Sequence, residues 1–134
     1  MEHQIRAMTR QEIEKYILKT YGSVAEYPWI TAPKYAVYRH AENRKWFAVV
    51  MDISKRKLGI DSDEIVDIMN VKCDPILVAS LINEDGFFPA YHMVKGKWIT
   101  IMLDSVDDER IKWLLGMSFE LTMKRLINEH ILYK

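Results

Sequence analysis

Few residues in this sequence have the type and spacing that catalysis needs. Cys73 precedes Asp74-Pro75, which indicates a helix start, and a helix N-terminus can lower a thiol pKa enough to create a nucleophile. Cys73 also follows an apolar segment, which favours a small buried side chain. His40 and His92 lie in predicted strands, but no third ligand stands at a metal-binding spacing. Because GxxxxGK[ST], GxGxxG, GxSxG and HExxH motifs are absent, we predict no catalytic residues, no enzyme activity, no metal and no cofactor.

Basic residues concentrate in segments that are typical of hairpins, where they could contact phosphate oxygens. Residues 1–57 carry eleven Lys and Arg against six Asp and Glu, whereas residues 58–134 carry eight against thirteen, so opposed halves produce the zero net charge. Two cationic hairpins could straddle DNA as wings and bind it weakly without sequence preference. Six candidates would lie on one side and the last two on the other: Arg39, Arg44, Lys45, Lys55, Arg56, Lys57, Lys95 and Lys97.

Aromatic residues in the same two hairpins support an alternative hypothesis. Aromatic side chains commonly pack on sheets, and exposed turns commonly carry Lys and Arg, so neither pattern decides the function. A groove on the sheet could instead bind a protein or a small ligand. Its candidate lining is Tyr38, His40, Trp46, Tyr91, His92 and Trp98.

The elements that would position these residues follow from local signals. Thr9 and Glu12 have capping-box spacing, and apolar residues then recur at helical intervals up to Gly22. Asp74 can cap a second helix, and Ser105 is predicted to cap a third. The predicted order is a helix over 10–21, strands over 35–40 and 45–53, a basic loop over 55–59, a strand over 64–72, a helix from 75 to about 83, strands over 90–94 and 97–103, and a final helix.

This order predicts an α+β fold, α-β-β-β-α-β-β-α, with two layers. Because the strands are joined mostly as hairpins, the sheet should be mainly antiparallel with helices packed against it. A length of 134 residues favours a single domain over residues 1–134, and an apolar fraction of 49% is typical of a globular chain. No apolar run approaches the roughly 18 residues of a membrane span, and the polar N-terminus is unlike a signal peptide, so we expect no membrane partner and a cytoplasmic location.

Several short motifs follow one another along the chain: VYRH at residues 37–40, NRKWFA at 43–48, KCDP at 72–75, PAYHM at 89–93, TIMLD at 100–104 and the pair Ser118-Phe119. In this order they resemble the MmcQ/YjbR family. The resemblance covers about residues 9–127. It implies a compact α+β domain comparable with type III secretion chaperones and CyaY, and DNA binding through two hairpin wings.

Three departures from the family pattern bear on the site. Val94 stands where family members commonly have Asn, and Lys97 stands where they have a second His. The turn after Leu103-Asp104 also lacks the family's Gly. Lys97 adds positive charge to the second hairpin, which is compatible with phosphate contact, whereas loss of the His counts against acid–base catalysis.

Overall fold

The structure is a computed structural model, and it describes residues 4–123, so both ends of the predicted domain and the C-terminal end of the family resemblance lie outside the described part. Its elements in chain order are α1 (Arg10–Tyr21), β1 (Ala36–Arg39), β2 (Trp46–Ser54), β3 (Ile65–Lys72), α2 (Pro75–Leu81), β4 (Phe87–Pro89), β5 (Trp98–Met102) and α3 (Asp108–Met123), with 3-10 helices at Lys55–Leu58 and Leu103–Ser105.

The five strands form one sheet in the order β1-β2-β3-β5-β4, and every neighbouring pair is antiparallel. The three helices contribute to a core on one side of this sheet, so the predicted two-layer α+β fold with a mainly antiparallel sheet is confirmed. No helix within residues 4–123 combines the length and hydropathy that are needed to cross a bilayer.

The starts of α1 and α2 were readable from the sequence because they depend on local hydrogen bonds. The Thr9 hydroxyl accepts from the Glu12 N–H, and the Glu12 carboxylate accepts from the Thr9 N–H, which completes the predicted capping box. Gly22 ends α1 with a φ of 69°, in the left-handed region that glycine tolerates. The Asp74 carboxylate caps α2 through the N–H groups of Ile76 and Leu77.

The sheet has two buried faces with different coverings. The helix face packs strand residues such as Ala48, Met69 and Ile101 against the three helices. The other face, here called the loop-covered face, buries a second cluster that includes Val49 and Ile68. Loop and strand-end side chains cover this cluster in place of helices: Trp29, Tyr35, Trp46, Leu58, Tyr91 and Met102.

A β-bulge at Phe47 decides which residues of β2 face the helices. Tyr38 pairs with Ala48, but Arg39 pairs with Trp46, so Phe47 is an extra residue on β2. Phe47 and Ala48 both join the helix-face core, and Trp46 is turned onto the loop-covered face.

The Ser118 hydroxyl of α3 binds the backbone beside this bulge. It donates to the Phe47 C=O at 2.6 Å and accepts from the Lys72 N–H at 2.9 Å. Both groups lie beyond the last paired residues of β2 and β3, Ala48 and Val71. Ser118 is fully buried, so its hydroxyl supplies a partner that water cannot.

Three parts of the predicted secondary structure differ from the observed elements. The strand predicted at 90–94 lies instead at Phe87–Pro89, and residues 90–97 form a loop. The Tyr91 N–H donates to the Thr100 hydroxyl, and its C=O accepts from the Asn70 amide, so side chains replace the ladder there. Ser105 is in a 3-10 helix and α3 begins at Asp108. The basic loop is also a 3-10 helix, whose start is capped by the Ser54 hydroxyl.

Replacing Ser118 with Ala should destabilise the fold by about 2–3 kcal/mol, because the Phe47 C=O and the Lys72 N–H both lose this partner in a buried site. Urea denaturation followed by circular dichroism measures the change. Ser80→Ala is the control, because Ser80 is exposed in α2, and its unfolding free energy should stay within about 0.5 kcal/mol. An equal effect of the two substitutions would contradict the role of the Ser118 hydroxyl.

Candidate functional site

The basic residues that are predicted to contact DNA lie at two opposite ends of the sheet. Ala48 pairs with Val71, which pairs with Ile99, so the turn between β1 and β2 and the loop over 90–97 lie at the same end. We call this the turn end. The 3-10 helix Lys55–Leu58 follows the far end of β2, about 26 Å away at roughly 3.3 Å per strand residue. The prediction that the first six candidates share one side is therefore wrong.

Carboxylates compensate most of the charge at the far end. Lys55 forms an ion pair with Glu64, and Arg56 contacts Asp61 at 3.0 Å and Asp63 at 2.8 Å. The bound carboxylates raise the pKa of both basic groups. Lys57 is exposed and has no ion pair within residues 4–123.

Further acidic side chains surround this far end. Burial raises the pKa of Asp67, and Asp52 and Asp104 add to that effect, whereas Arg10 opposes it from 3.9 Å. The predicted phosphate contact through Lys55, Arg56 and Lys57 would therefore have to be made in an acidic environment.

Cations at the turn end are less compensated. Lys45 and Lys97 are exposed and form no ion pair with the described part of the chain. The Lys95 ammonium donates to the Ala90 C=O at 3.1 Å. It forms no ion pair with a carboxylate of residues 4–123. Arg44 is 64% exposed at its side chain and lies 3.9 Å from Glu26. Arg39 contacts the same carboxylate at 3.3 Å.

The ends of the molecule consequently differ in charge. Basic residues outnumber acidic residues at the turn end, and the reverse holds at the far end. The turn end carries Lys19, Arg39, Arg44, Lys45, Lys72, Lys95 and Lys97 against Glu26, Glu42, Asp74 and Glu120. Opposite charges are thus separated along the strand direction and not between the two halves of the sequence, since Lys72, Lys95 and Lys97 of the acidic half lie at the basic turn end.

Two tryptophans at the turn end lie on the loop-covered face. The bulge turns Trp46 onto it, and the guanidinium of Arg39 lies 5.7 Å from the Trp46 ring centroid. Trp98 is placed there by strand alternation, because its neighbour Ile99 belongs to the helix-face core. Both tryptophans are half-buried, so part of each indole remains accessible.

The loop over 90–97 supplies two more rings. Tyr91 packs on the cluster of the loop-covered face, and its ring lies 4.0 Å from that of His92. The loop is held by the Asn70 amide and the Thr100 hydroxyl, which also bond each other. His92 is exposed and has a φ of 59°, in a region that non-glycine residues seldom occupy.

The other two aromatic candidates do not line a groove with these four. Tyr38 is only 2% exposed and belongs to the helix-face core, where burial raises the pKa of its hydroxyl. His40 is 5% exposed and packs against Phe47 and Phe119. The predicted six-residue groove is therefore wrong, because alternation along β1 directs Tyr38 and His40 toward the helices.

His40 has a structural environment at the turn end. Its Nε2 atom lies 2.6 Å from the Thr122 hydroxyl, which donates to the Ser118 C=O at 2.8 Å. That arrangement assigns the imidazole N–H as donor to Thr122. Burial lowers the pKa of His40 from its ordinary value of 6.5, which favours the neutral ring.

A cleft of about 660 Å³ opens beside His40. Its walls combine rings with polar groups, and burial raises the pKa of the lining Tyr21 to about 12. The lining residues that matter chemically are Tyr21, Glu26, Arg39, Asn43, Arg44 and Phe119. Such a mixture of apolar walls and few polar groups is typical of small-molecule sites.

Cys73 is a buried core residue, as the apolar segment before it indicates. It is 2% exposed, its thiol lies 4.0 Å from the Met117 sulfur, and burial raises its pKa. The two candidate histidines do not come together, since His40 faces the helices and His92 is exposed beside Tyr91. Within residues 4–123 no group of three or more His, Cys, Asp and Glu could hold a metal ion.

Sequence reasoning missed the polar residues that hold the site in place. Ser118 and Thr100 lie within the family motifs and Asn70 lies in none of them, and sequence reasoning assigned a hydrogen-bonding role to none of the three, although all are fully buried. The available signal was a hydrogen-bonding side chain at a position predicted to be buried, where it must find a partner.

The fold and this surface define a small two-layer α+β domain with a basic, aromatic end to its sheet. The YjbR family model matches residues 18–121. The uncharacterized protein YyaQ of Bacillus subtilis is 40% identical over 116 residues, which cover 86% of this chain and 98% of YyaQ. The chain therefore belongs to the YjbR family.

Solved structures agree with this assignment. A crystal structure of a Pseudomonas syringae protein superposes with a TM-score of 0.84 at 43% identity, covering 86% of this chain and 99% of the other. A Deinococcus radiodurans protein with a DUF419 domain shares the fold, with a TM-score of 0.68 at 20% identity over 89% of this chain and 81% of the other.

His40 should make stability depend on pH. Because its folded pKa lies below 6.5, the unfolded chain binds a proton that the folded chain resists, so stability falls as pH drops below about 6.5. His40→Gln removes this titration. The difference in unfolding free energy between the wild type and this variant should shrink between pH 7.5 and 5, by at most about 1.4 kcal/mol per pH unit. Urea titrations at each pH measure it, and a constant difference would contradict the assignment.

Proposed function

We propose that this chain is a non-enzymatic protein that binds DNA weakly through phosphate contacts at the turn end. The observation that supports this most is the meeting of two cationic loops at one end of the sheet. Lys45 lies in one loop, and Lys95 and Lys97 lie in the other. A DNA-binding role is consistent with a cytoplasmic location.

This contact differs from two separate wings. Arg39, Arg44 and Lys45 remain in it together with Lys95 and Lys97. The 3-10 helix Lys55–Leu58 does not, because it lies about 26 Å away among carboxylates.

The charge distribution also orients the complex. A polyanion attracts the turn end and repels the acidic far end. The molecule would therefore approach DNA with its turn end facing the sugar–phosphate backbone. Phosphate contacts carry no base information, so binding through them should be nearly independent of sequence. The zero net charge limits affinity, because the whole-molecule attraction is small.

The Lys45→Ala/Lys97→Ala double variant should weaken duplex binding and reduce its salt dependence. Each lost phosphate contact should lower the log–log salt slope by about 0.9, so two contacts lower it by about 1.8. Fluorescence anisotropy of a labelled duplex at several salt concentrations measures the slope.

A matched double variant at the far end is the control. Lys34 and Lys57 are exposed, and Lys34→Ala/Lys57→Ala removes the same charge. Its salt slope should equal that of the wild type. Equal losses in both variants would contradict a contact at the turn end, and no binding at about 50 mM salt and high micromolar protein would contradict DNA binding itself.

Binding of a small amphipathic molecule is a second candidate function, and the cleft beside His40 favours it. Tyr21 and Phe119 stack with ring centroids 4.4 Å apart and offer an apolar wall. Arg44, an exposed residue of the lining, offers a charged donor.

A thermal-shift screen of small aromatic carboxylates at millimolar concentration tests this second function. A compound that binds the cleft should raise the unfolding midpoint of the wild type and raise that of Arg44→Ala less. Equal shifts in both proteins, or no shift with any compound, would count against the cleft as a binding site.

A further inference from the structure

Two strands begin with the same pair of residues at the turn end. β2 starts at Trp46 and is preceded by Lys45, while β5 starts at Trp98 and is preceded by Lys97. Both lysines are exposed and unpaired within residues 4–123, and both tryptophans are half-buried on the loop-covered face. Each strand start therefore presents a cation beside an accessible indole.

The two indoles have a spacing that an extended chain of nucleotides can follow. Trp98 is opposite Lys72 of β3, and Trp46 lies on β2, the next strand beyond β3. Two inter-strand steps of about 4.8 Å place the backbones of the two tryptophans about 10 Å apart. The Tyr91–His92 ring pair lies on the loop over 90–97, beside β3 and β5.

The charge around these rings suits a polyanion. Arg39 lies over the Trp46 ring while it also pairs with Glu26 at 3.3 Å, and Lys72 sits between the two tryptophan-bearing strands. Among the described strand positions that alternate onto this face there is no Asp or Glu. A backbone of phosphates along this edge would thus meet cations and aromatic rings together.

The aromatic surface is also rigid enough to be ready for a ligand. Asn70 and Thr100, both fully buried, hold the backbone of Tyr91. His92 retains a left-handed backbone, which costs energy for a residue with a side chain and is common at ligand-contact positions.

Resting on the proposed function, we infer that the turn end binds single-stranded DNA in preference to duplex, with unpaired bases stacking on Trp98, His92 and Trp46 and phosphates contacting Lys45 and Lys97. Bases in a duplex already stack on each other and do not present their faces. Unpaired bases do, and a groove with aromatic rings and cations is the usual way to bind them without sequence preference.

Anisotropy titrations with a labelled thymidine oligonucleotide of about 12 nucleotides, and with a duplex of the same length, test this inference. The wild type should bind the single strand more tightly. Trp98→Ala should weaken single-strand binding at least about fivefold and change duplex binding less than twofold, whereas Trp98→Phe should keep most of the affinity. His92→Asn should also weaken only the single strand, because Asn tolerates the left-handed backbone but removes the ring.

Trp113→Ala is the matched control, since Trp113 is 54% exposed on α3, away from this surface. It should bind the single strand like the wild type. Circular dichroism checks that each variant is folded. If Trp98→Ala does not fold, His92→Asn still tests the inference. Equal affinity for both DNA forms, unchanged in Trp98→Ala and His92→Asn, would overturn the inference and leave the proposed function standing. Binding to neither form would overturn both.

Discussion

The hydroxyl of Ser118 bonds two backbone groups that lie where the pairing of β2 and β3 stops, the Phe47 C=O and the Lys72 N–H. This contact joins α3 to the bulge in β2. The bulge turns Trp46 away from the helices and leaves Phe47 beneath them. If β2 ran through Phe47 without a bulge, regular alternation would place Trp46 on the same face as Ala48, and the aromatic surface of the turn end would lose one of its rings.

The same end of α3 holds the turn that carries the first cations. Thr122 lies 2.6 Å from His40 through its hydroxyl, and its C=O accepts from the Asn43 amide at 2.9 Å. The turn over residues 40–45 is therefore anchored on its inner side, while Arg44 and Lys45 face solvent. A buried neutral histidine serves this anchoring well, because a charged ring would carry a desolvation cost there.

The two ends of the molecule differ in charge, although the net charge of the chain is zero. Carboxylates from the loop over 61–64 neutralise the 3-10 helix Lys55–Leu58, so a basic sequence segment does not become a basic surface. At the turn end Lys45 and Lys97 stay free of such pairs within the described residues. Apart from Lys55, Arg56, Lys57, Tyr38 and His40, the cationic and the aromatic residues singled out from the sequence thus belong to one surface. This is why we propose a ligand that has both phosphates and bases.

The sequence by itself determined the starts of α1 and α2, the first hairpin and the two-layer α+β class, because capping residues, glycine and the alternation of apolar residues act over a few positions. The resemblance of the motifs to the family implied the same fold. The tertiary structure decided what depends on distant partners. Pairing with Glu64, Asp61 and Asp63 neutralised Lys55 and Arg56, and Asn70 and Thr100 replaced the predicted strand at 90–94 with a loop. The face of Trp46 depended on the bulge at Phe47, which α3 braces through Ser118 from 71 residues further along the chain. No local pattern in β2 specifies that contact, since it forms only when the helix packs on the sheet.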